Sequence, residues 1–184
     1  MEDVYQQIYK VHSQWLNFNG IRTKPVLVVF SAIPGSGKSE LTKRLAATYG
    51  FFRVANKDIR NALETTGHAH DVVIAEYTLW FLDKVTSEGP LSIVFDRNID
   101  QWYGPSKDWA RANGYLHILV RIDVERKTLQ ERLLRREGDS NARVFGVMDF
   151  YDEQHKTMAN AIQPDIILKE NYDLDAAARC IASC

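Results

Sequence analysis

The sequence predicts an α/β fold in three layers, with helices on both faces of a five-stranded, mainly parallel sheet. Short apolar runs rich in β-branched and aromatic residues alternate along the chain with longer stretches of helical spacing. The first apolar run leads directly into a glycine-rich turn and then a helix, and most helical stretches close on glycine. Neither repeats nor a low-complexity linker interrupts the alternation, so 184 residues read as one main domain.

The elements follow in order. Residues 3–18 place Val4, Ile8, Val11 and Trp15 at helical spacing, with Tyr5, Tyr9 and Leu16 alongside, and Asn17, Asn19 and Gly20 end the helix. Residues 1–20 are expected as an appended helix packed on a domain of residues 21–184; the same stripe also suits a partner-binding helix. Pro25 opens the first strand, 26–30, and the helix after it runs over 40–49 and stops at Gly50. Strand two is expected at 51–55, a short helix at 58–66 before Gly67, and a longer helix at 72–87 before Gly89-Pro90. Strand three spans 91–95 with Asp96 at its end. A helix follows at 106–113, then strand four at 115–122 and a strongly basic helix at 124–137. Residues 138–141 break that helix, and 144–162 is helical again. Pro164-Asp165 introduces strand five at 166–169, and 173–183 is the closing helix.

The turn after strand one reads Ser31-Ala32-Ile33-Pro34-Gly35-Ser36-Gly37-Lys38-Ser39. Strand, glycine-rich turn and Lys-Ser at a helix start form the phosphate-binding loop, or Walker A motif, of the P-loop NTPase fold. Its backbone N–H groups and the helix N-terminus suit an anion. The nucleotide contacts are expected from Ile33, Pro34, Gly35, Ser36, Gly37, Lys38, Ser39 and Glu40, with Lys38 on the β- and γ-phosphates and Ser39 on Mg²⁺. Ala32 stands where the motif has its first glycine, so a negative φ is expected there.

Composition narrows the classes. Net charge is −1, which gives no global basic field for long duplex nucleic acid. Cys180 and Cys184 are the only cysteines, which excludes a disulfide framework and makes a poor metal site. No apolar run is long enough to span a bilayer, and Met1-Glu2-Asp3 opens no basic-then-apolar pattern, so a cytoplasmic location is expected.

In a parallel sheet of this kind ligands lie at the carboxyl ends of the strands. That edge gathers the P-loop, residues 56–60, residues 96–98 and the segment after Ile122. The order of these pieces resembles the small P-loop kinases that include polynucleotide 5′-hydroxyl kinases and zeta toxins, over roughly residues 26–174. The residues carrying the resemblance are Lys57-Asp58-Ile59-Arg60 after strand two and Asp96-Arg97-Asn98 after strand three. Asp123-Val124, Leu129, Arg132 and Arg136 on the basic helix and Asn171-Tyr172-Asp173-Leu174 near the end complete the set. The resemblance implies a kinase acting on ATP and Mg²⁺, with the basic helix as a lid whose Arg132 and Arg136 meet the transferring group. It implies that Asp58 and Arg60 face the acceptor, with Lys57 standing where the family has its base.

Both Asp58 and Asp96 are therefore candidates for the acceptor base. Position favours Asp58 as the base and Asp96, with Ser39, as the Mg²⁺ organiser; Asp58 also suits a helix cap. Asn98 and Trp102 are candidate acceptor contacts, the latter in a turn of aromatics, Gln101 to Pro105, expected to be exposed. The expected activity is transfer of a γ-phosphate to a hydroxyl on a small molecule or a nucleic-acid end. A nucleotide-dependent switch that hydrolyses ATP slowly and docks a partner on the Val4–Trp15 face is the alternative. Oligomeric state stays open.

Overall fold

A computed structural model describes residues 1–16, 24–68, 71–87, 89–137 and 141–184, with the backbone alone at 71–73, 136–137, 141–145 and 147. The chain runs α1 (Glu2–His12), a 3-10 turn (Ser13–Trp15), β1 (Val26–Ala32), α2 (Lys38–Tyr49), β2 (Phe52–Ala55), α3 (Asn56–Thr65) and α4 (Asp71–Thr86). It continues as β3 (Ser92–Asn98), α5 (Tyr103–Ala112), β4 (Leu116–Asp123), α6 (Arg126–Glu137), α7 (Asn141–Ala161), β5 (Ile166–Lys169) and α8 (Leu174–Ser183).

The five strands pair in the order β2-β3-β1-β4-β5, every pair parallel. Central β1 is buried at every residue, which is why it reads as an unbroken apolar run rather than an alternation. Its side chains still divide by the period of two. Leu27 and Val29 join the core under α1, α3, α4 and α5, whereas Val26, Val28, Phe30 and Ala32 pack with Leu41 and Leu45 of α2 and Ala177, Ala178 and Ile181 of α8. Two hydrophobic layers on one parallel sheet make the three-layer α/β architecture.

Gly50 acts as the stop signal expected of it, and Asp173, expected as the first residue of the closing helix, is its cap. Gly50 ends α2 at φ 67°, and the Asp173 carboxylate caps α8 by accepting from the N–H groups of Asp175 and Ala176 at 2.8 and 2.9 Å. Strand ends differ more. β1 runs to Ala32 because its last residues pair with β4, Ala32 opposite Ile122. β3 runs to Asn98 because Ala55 holds Asp96 and Phe30 holds Asn98 in register, so Asp96 lies inside the strand rather than after it. α5 starts at Tyr103, drawing the aromatic turn into the helix. Trp102 is only 7% exposed, its ring edge-on to Phe95 at 5.7 Å, so the expectation of exposed aromatics is corrected.

The N-terminal helix is shorter than expected, and Asn17, Asn19 and Gly20 lie outside the described residues. Ile8 is fully buried and Val4 and Val11 pack against the same core, so most of the stripe reserved for a partner is covered by the chain itself. Trp15 remains 44% exposed. His12 is wholly buried, its Nδ1 3.0 Å from the Tyr77 hydroxyl. Burial lowers His12 to about 4, and burial chiefly lowers His117 to about 4 as well. The unfolded chain takes up these protons near the ordinary value of 6.5. Stability conferred by the neutral rings is therefore complete above that value, falls as pH drops toward about 4, and levels below it. Thermal melts should show this acid slope, and His12→Leu should remove part of it; an unchanged slope would place the proton uptake elsewhere.

Candidate active site

The glycine-rich loop grows out of the middle of the sheet, at the carboxyl end of β1, where chain connections diverge to either side. Gly35 and Gly37 take φ of 90° and 95°, a region closed to most L-residues, and this curls the backbone between β1 and α2. Neighbouring groups lie at contact distance of both glycines. A Cβ on Gly35 would lie 3.4 Å from the Leu129 carbonyl and the Leu133 side chain of α6, and one on Gly37 3.4 Å from the Tyr172 hydroxyl. Ala32, at the position of the missing glycine, is still in β1, and its N–H donates to Asn98 Oδ1 at 3.1 Å. The strand that carries Asp96 thereby pins the start of the loop.

Asp96 is the electrostatic centre. One carboxylate oxygen, Oδ1, accepts from Lys38 Nζ at 2.8 Å and from the Ser39 hydroxyl at 2.9 Å. The other accepts from Arg53 Nη2, whose Nε donates to Thr42 Oγ1 at 3.1 Å; that hydroxyl in turn donates to the Ser39 carbonyl at 3.0 Å. Burial pushes the carboxyl up, but the charges and hydrogen bonds of Lys38, then of Arg53, outweigh it and hold it at about 2. Asp96 is therefore an anion at neutral pH, neutralised by two cations.

A cavity of about 810 Å³ opens over the loop and extends past Asp96 to Trp102 and α7. Ile33, Pro34, Gly35, Ser36, Gly37, Lys38, Ser39 and Glu40 all line it, as do Arg60, Asn98, Trp102 and Arg132. A second cavity of about 360 Å³ adjoins the loop between Arg132 and Tyr172, with Asn171 and Leu174 in its wall. Arg132 borders both, and its Nη1 donates to the Gly35 carbonyl at 3.2 Å. Below it, Ile33, Leu129, Leu133 and Met148 form a small core of their own that seats α6 on the loop. Arg126 clamps α6 to α7 through Asp149 and Asp152. The Arg136 side chain lies outside the described residues.

Asp58 is not brought into this group. Its helix begins two residues earlier than expected, with Ala55 as the cap, so Asp58 sits at the third helical position and is no N-cap. The cavity is lined instead by Asn56, Lys57 and Arg60 from the same turn, and among the described residues its carboxylates are Asp96 and Glu40. Two residues that sequence reasoning passed over belong to the site. Arg53 left one trace, a lone cation in an apolar strand; Arg97 left another, an arginine between Asp96 and Asn98 just past the last apolar residue.

The oxygen donors suit magnesium. Ser39 and Asp96 offer a hydroxyl and a carboxylate at the loop, a set that Mg²⁺ completes with phosphate oxygens and water, and no group of three or more His, Cys, Asp or Glu competes for it among the described residues. The loop has unused donor capacity, since the buried Ser36 hydroxyl has no hydrogen-bond partner.

Strand order, loop and covering helix define the P-loop kinase fold, and solved structures share it. A shikimate kinase from Bacteroides thetaiotaomicron aligns at a TM-score of 0.56 and 16% identity, covering 86% of this chain and 96% of that one. The Mycobacterium tuberculosis APS kinase, solved with AMPPNP and APS, aligns at 0.55 and 16% identity, covering 88% and 98%. An uncharacterised protein from Eubacterium ventriosum aligns at 0.56 and 19% identity, covering 86% and 96%. At these identities the likeness is one of fold. No family model and no curated protein matches the chain. No helix among the described residues is long and apolar enough to cross a membrane.

Proposed function

We propose that the chain is an ATP-dependent kinase that transfers the γ-phosphate of Mg·ATP to the hydroxyl of a small acceptor. The observation that carries the reading is Asp96 bound at once to the P-loop lysine and the P-loop serine, at the junction of a loop shaped for phosphates and a cavity with room for a second molecule. The loop backbone, Lys38 and Ser39 hold the triphosphate, and the groove between Arg132 and Tyr172 takes the nucleoside. Ser39, with Asp96 beside it, would hold magnesium, which would neutralise phosphate charge. When phosphates enter, Lys38 turns from Asp96 to them. With Lys38 on the phosphates and Ser39 on the metal, Asp96 keeps Arg53 and has a free oxygen. It orients the acceptor hydroxyl and accepts its proton as the phosphoryl group transfers.

Arg132 supplies charge where the transferring group develops it. Arg132→Ala should lower kcat more than it raises the KM for ATP, because the contact strengthens in the transition state. Unchanged kinetics would make the residue a tether of α6 to Gly35 and nothing more.

The function is tested by incubating the protein with γ-labelled ATP and sets of nucleosides, oligonucleotides with 5′-hydroxyl ends, sugars, sugar nucleotides and hydroxy acids. The reading expects label in one acceptor pool and ATP turnover that rises with it. Label appearing only as inorganic phosphate, at a rate no acceptor changes, would favour the nucleotide switch.

A further inference from the structure

Arg97 is placed where a cation is costly. It projects from the end of β3 into the acceptor side of the cavity, and its Nε and Nη1 are buried without a hydrogen-bond partner. Its guanidinium carbon lies 5.0 Å from the centroid of the Trp102 ring, a face that accommodates a planar cation but accepts no strong hydrogen bond. No salt bridge to Arg97 occurs among the described residues. Burial, then the neighbouring positive charge of Arg60, lowers its pKa, while Tyr151 acts the other way. The residue as a whole is half-buried, but buried donors of a charged group ordinarily have partners, because desolvation without them is unfavourable.

The surroundings repeat the signal. Beyond Asp96 the cavity wall carries Lys57, Arg60 and Arg97; the other wall carboxylate among the described residues, Glu40, lies on α2 and pairs with Lys43. Asp96 cannot serve, since both its oxygens are taken by Lys38, Ser39 and Arg53. Asn98 is committed to the Ala32 N–H. The positive charge here is therefore separate from that of the phosphate loop.

We propose that Arg97, backed by Trp102 and flanked by Arg60 and Lys57, forms an oxyanion subsite, and that the acceptor is a small hydroxyl compound bearing a carboxylate, phosphoryl or sulfo group. This deepens the kinase reading and rests on it. The anion partners the guanidinium, and the bidentate geometry open to arginine fixes the molecule's orientation. The acceptor hydroxyl is then presented to Asp96 on the neighbouring residue.

The test reads binding rather than turnover. Thermal unfolding is followed with sulfate and, separately, with acetate, against chloride at matched ionic strength. A non-hydrolysable ATP analogue with Mg²⁺ is present throughout, so that the phosphate loop is filled. At least one oxyanion should raise the melting temperature of the wild type, sulfate pointing to a tetrahedral group and acetate to a carboxylate. Arg97→Met should weaken that binding by roughly 10- to 100-fold, the value of a hydrogen-bonded charge, and Arg97→Lys should restore part of it. Arg97→Met should also melt no lower than the wild type without added anion, because it removes an unpartnered buried charge. An anion response that Arg97→Met leaves intact, no response in the wild type, or a destabilised or unfolded Arg97→Met protein would each overturn the proposal. If the nucleotide analogue fails to bind, the kinase reading fails by itself. The same titrations on Lys38→Ala protein, whose loop is impaired as an anion site, then still decide the subsite.

Discussion

Asp96→Asn should lower kcat by about 10²–10⁴-fold at saturating Mg²⁺, with little change in nucleotide affinity. The amide keeps the shape of the carboxylate and can still accept from Ser39, but it cannot take a proton or neutralise Arg53. The resting carboxyl is held at about 2 by Lys38 and Arg53. Because the free enzyme keeps Asp96 ionised well below neutrality, kcat/KM should show no acid limb from this group above about pH 4. The same depressed pKa adds stability that is present above the ordinary value of 3.8 and is lost as pH falls through about 2. Asp58→Asn should stay active. If added Mg²⁺ rescues Asp96→Asn, Asp96 serves the metal alone; if Asp58→Asn loses kcat instead, the base lies on α3.

Lys38→Ala should lower ATP-dependent turnover by roughly 10²-fold or more while the protein stays folded. Among the described residues Lys38 is the cation that the loop itself carries, whereas Arg53 is held by Asp96 and Thr42 and Arg132 by the Gly35 carbonyl. Folding should tolerate the change because Asp96 keeps Arg53 and Ser39 as partners. Circular dichroism establishes the fold, and turnover decides the role. Wild-type turnover in a folded Lys38→Ala protein would exclude phosphate binding at this loop as the source of activity.

Much of the fold was legible because its signals are local. Gly50 and Gly67 stop helices through their own backbone freedom, and Asp173 caps α8 through its own side chain. The glycine-rich turn after β1 was legible for the same reason. What failed depended on partners remote in sequence. β3 extends past Phe95 because β2 and β1 pair with its end, and nothing in residues 96–98 announces that. Trp102 looked exposed in a Gly-Pro-containing turn, yet Phe95 waits beneath it. Asp58 matched a motif by spacing, but the turn of α3 presents Asn56, Lys57 and Arg60 to the cavity. Arg53 and Arg97 acquire meaning only when the sheet brings one to Asp96 and the other to Trp102.

The account stands most directly on the phosphate loop, and calorimetric titration of the wild-type protein with a non-hydrolysable ATP analogue tests it. The predicted result is one nucleotide bound per chain, with affinity that falls when Mg²⁺ is chelated and again in Lys38→Ala. Absence of binding at millimolar nucleotide, or equal binding by wild type and Lys38→Ala, would contradict it.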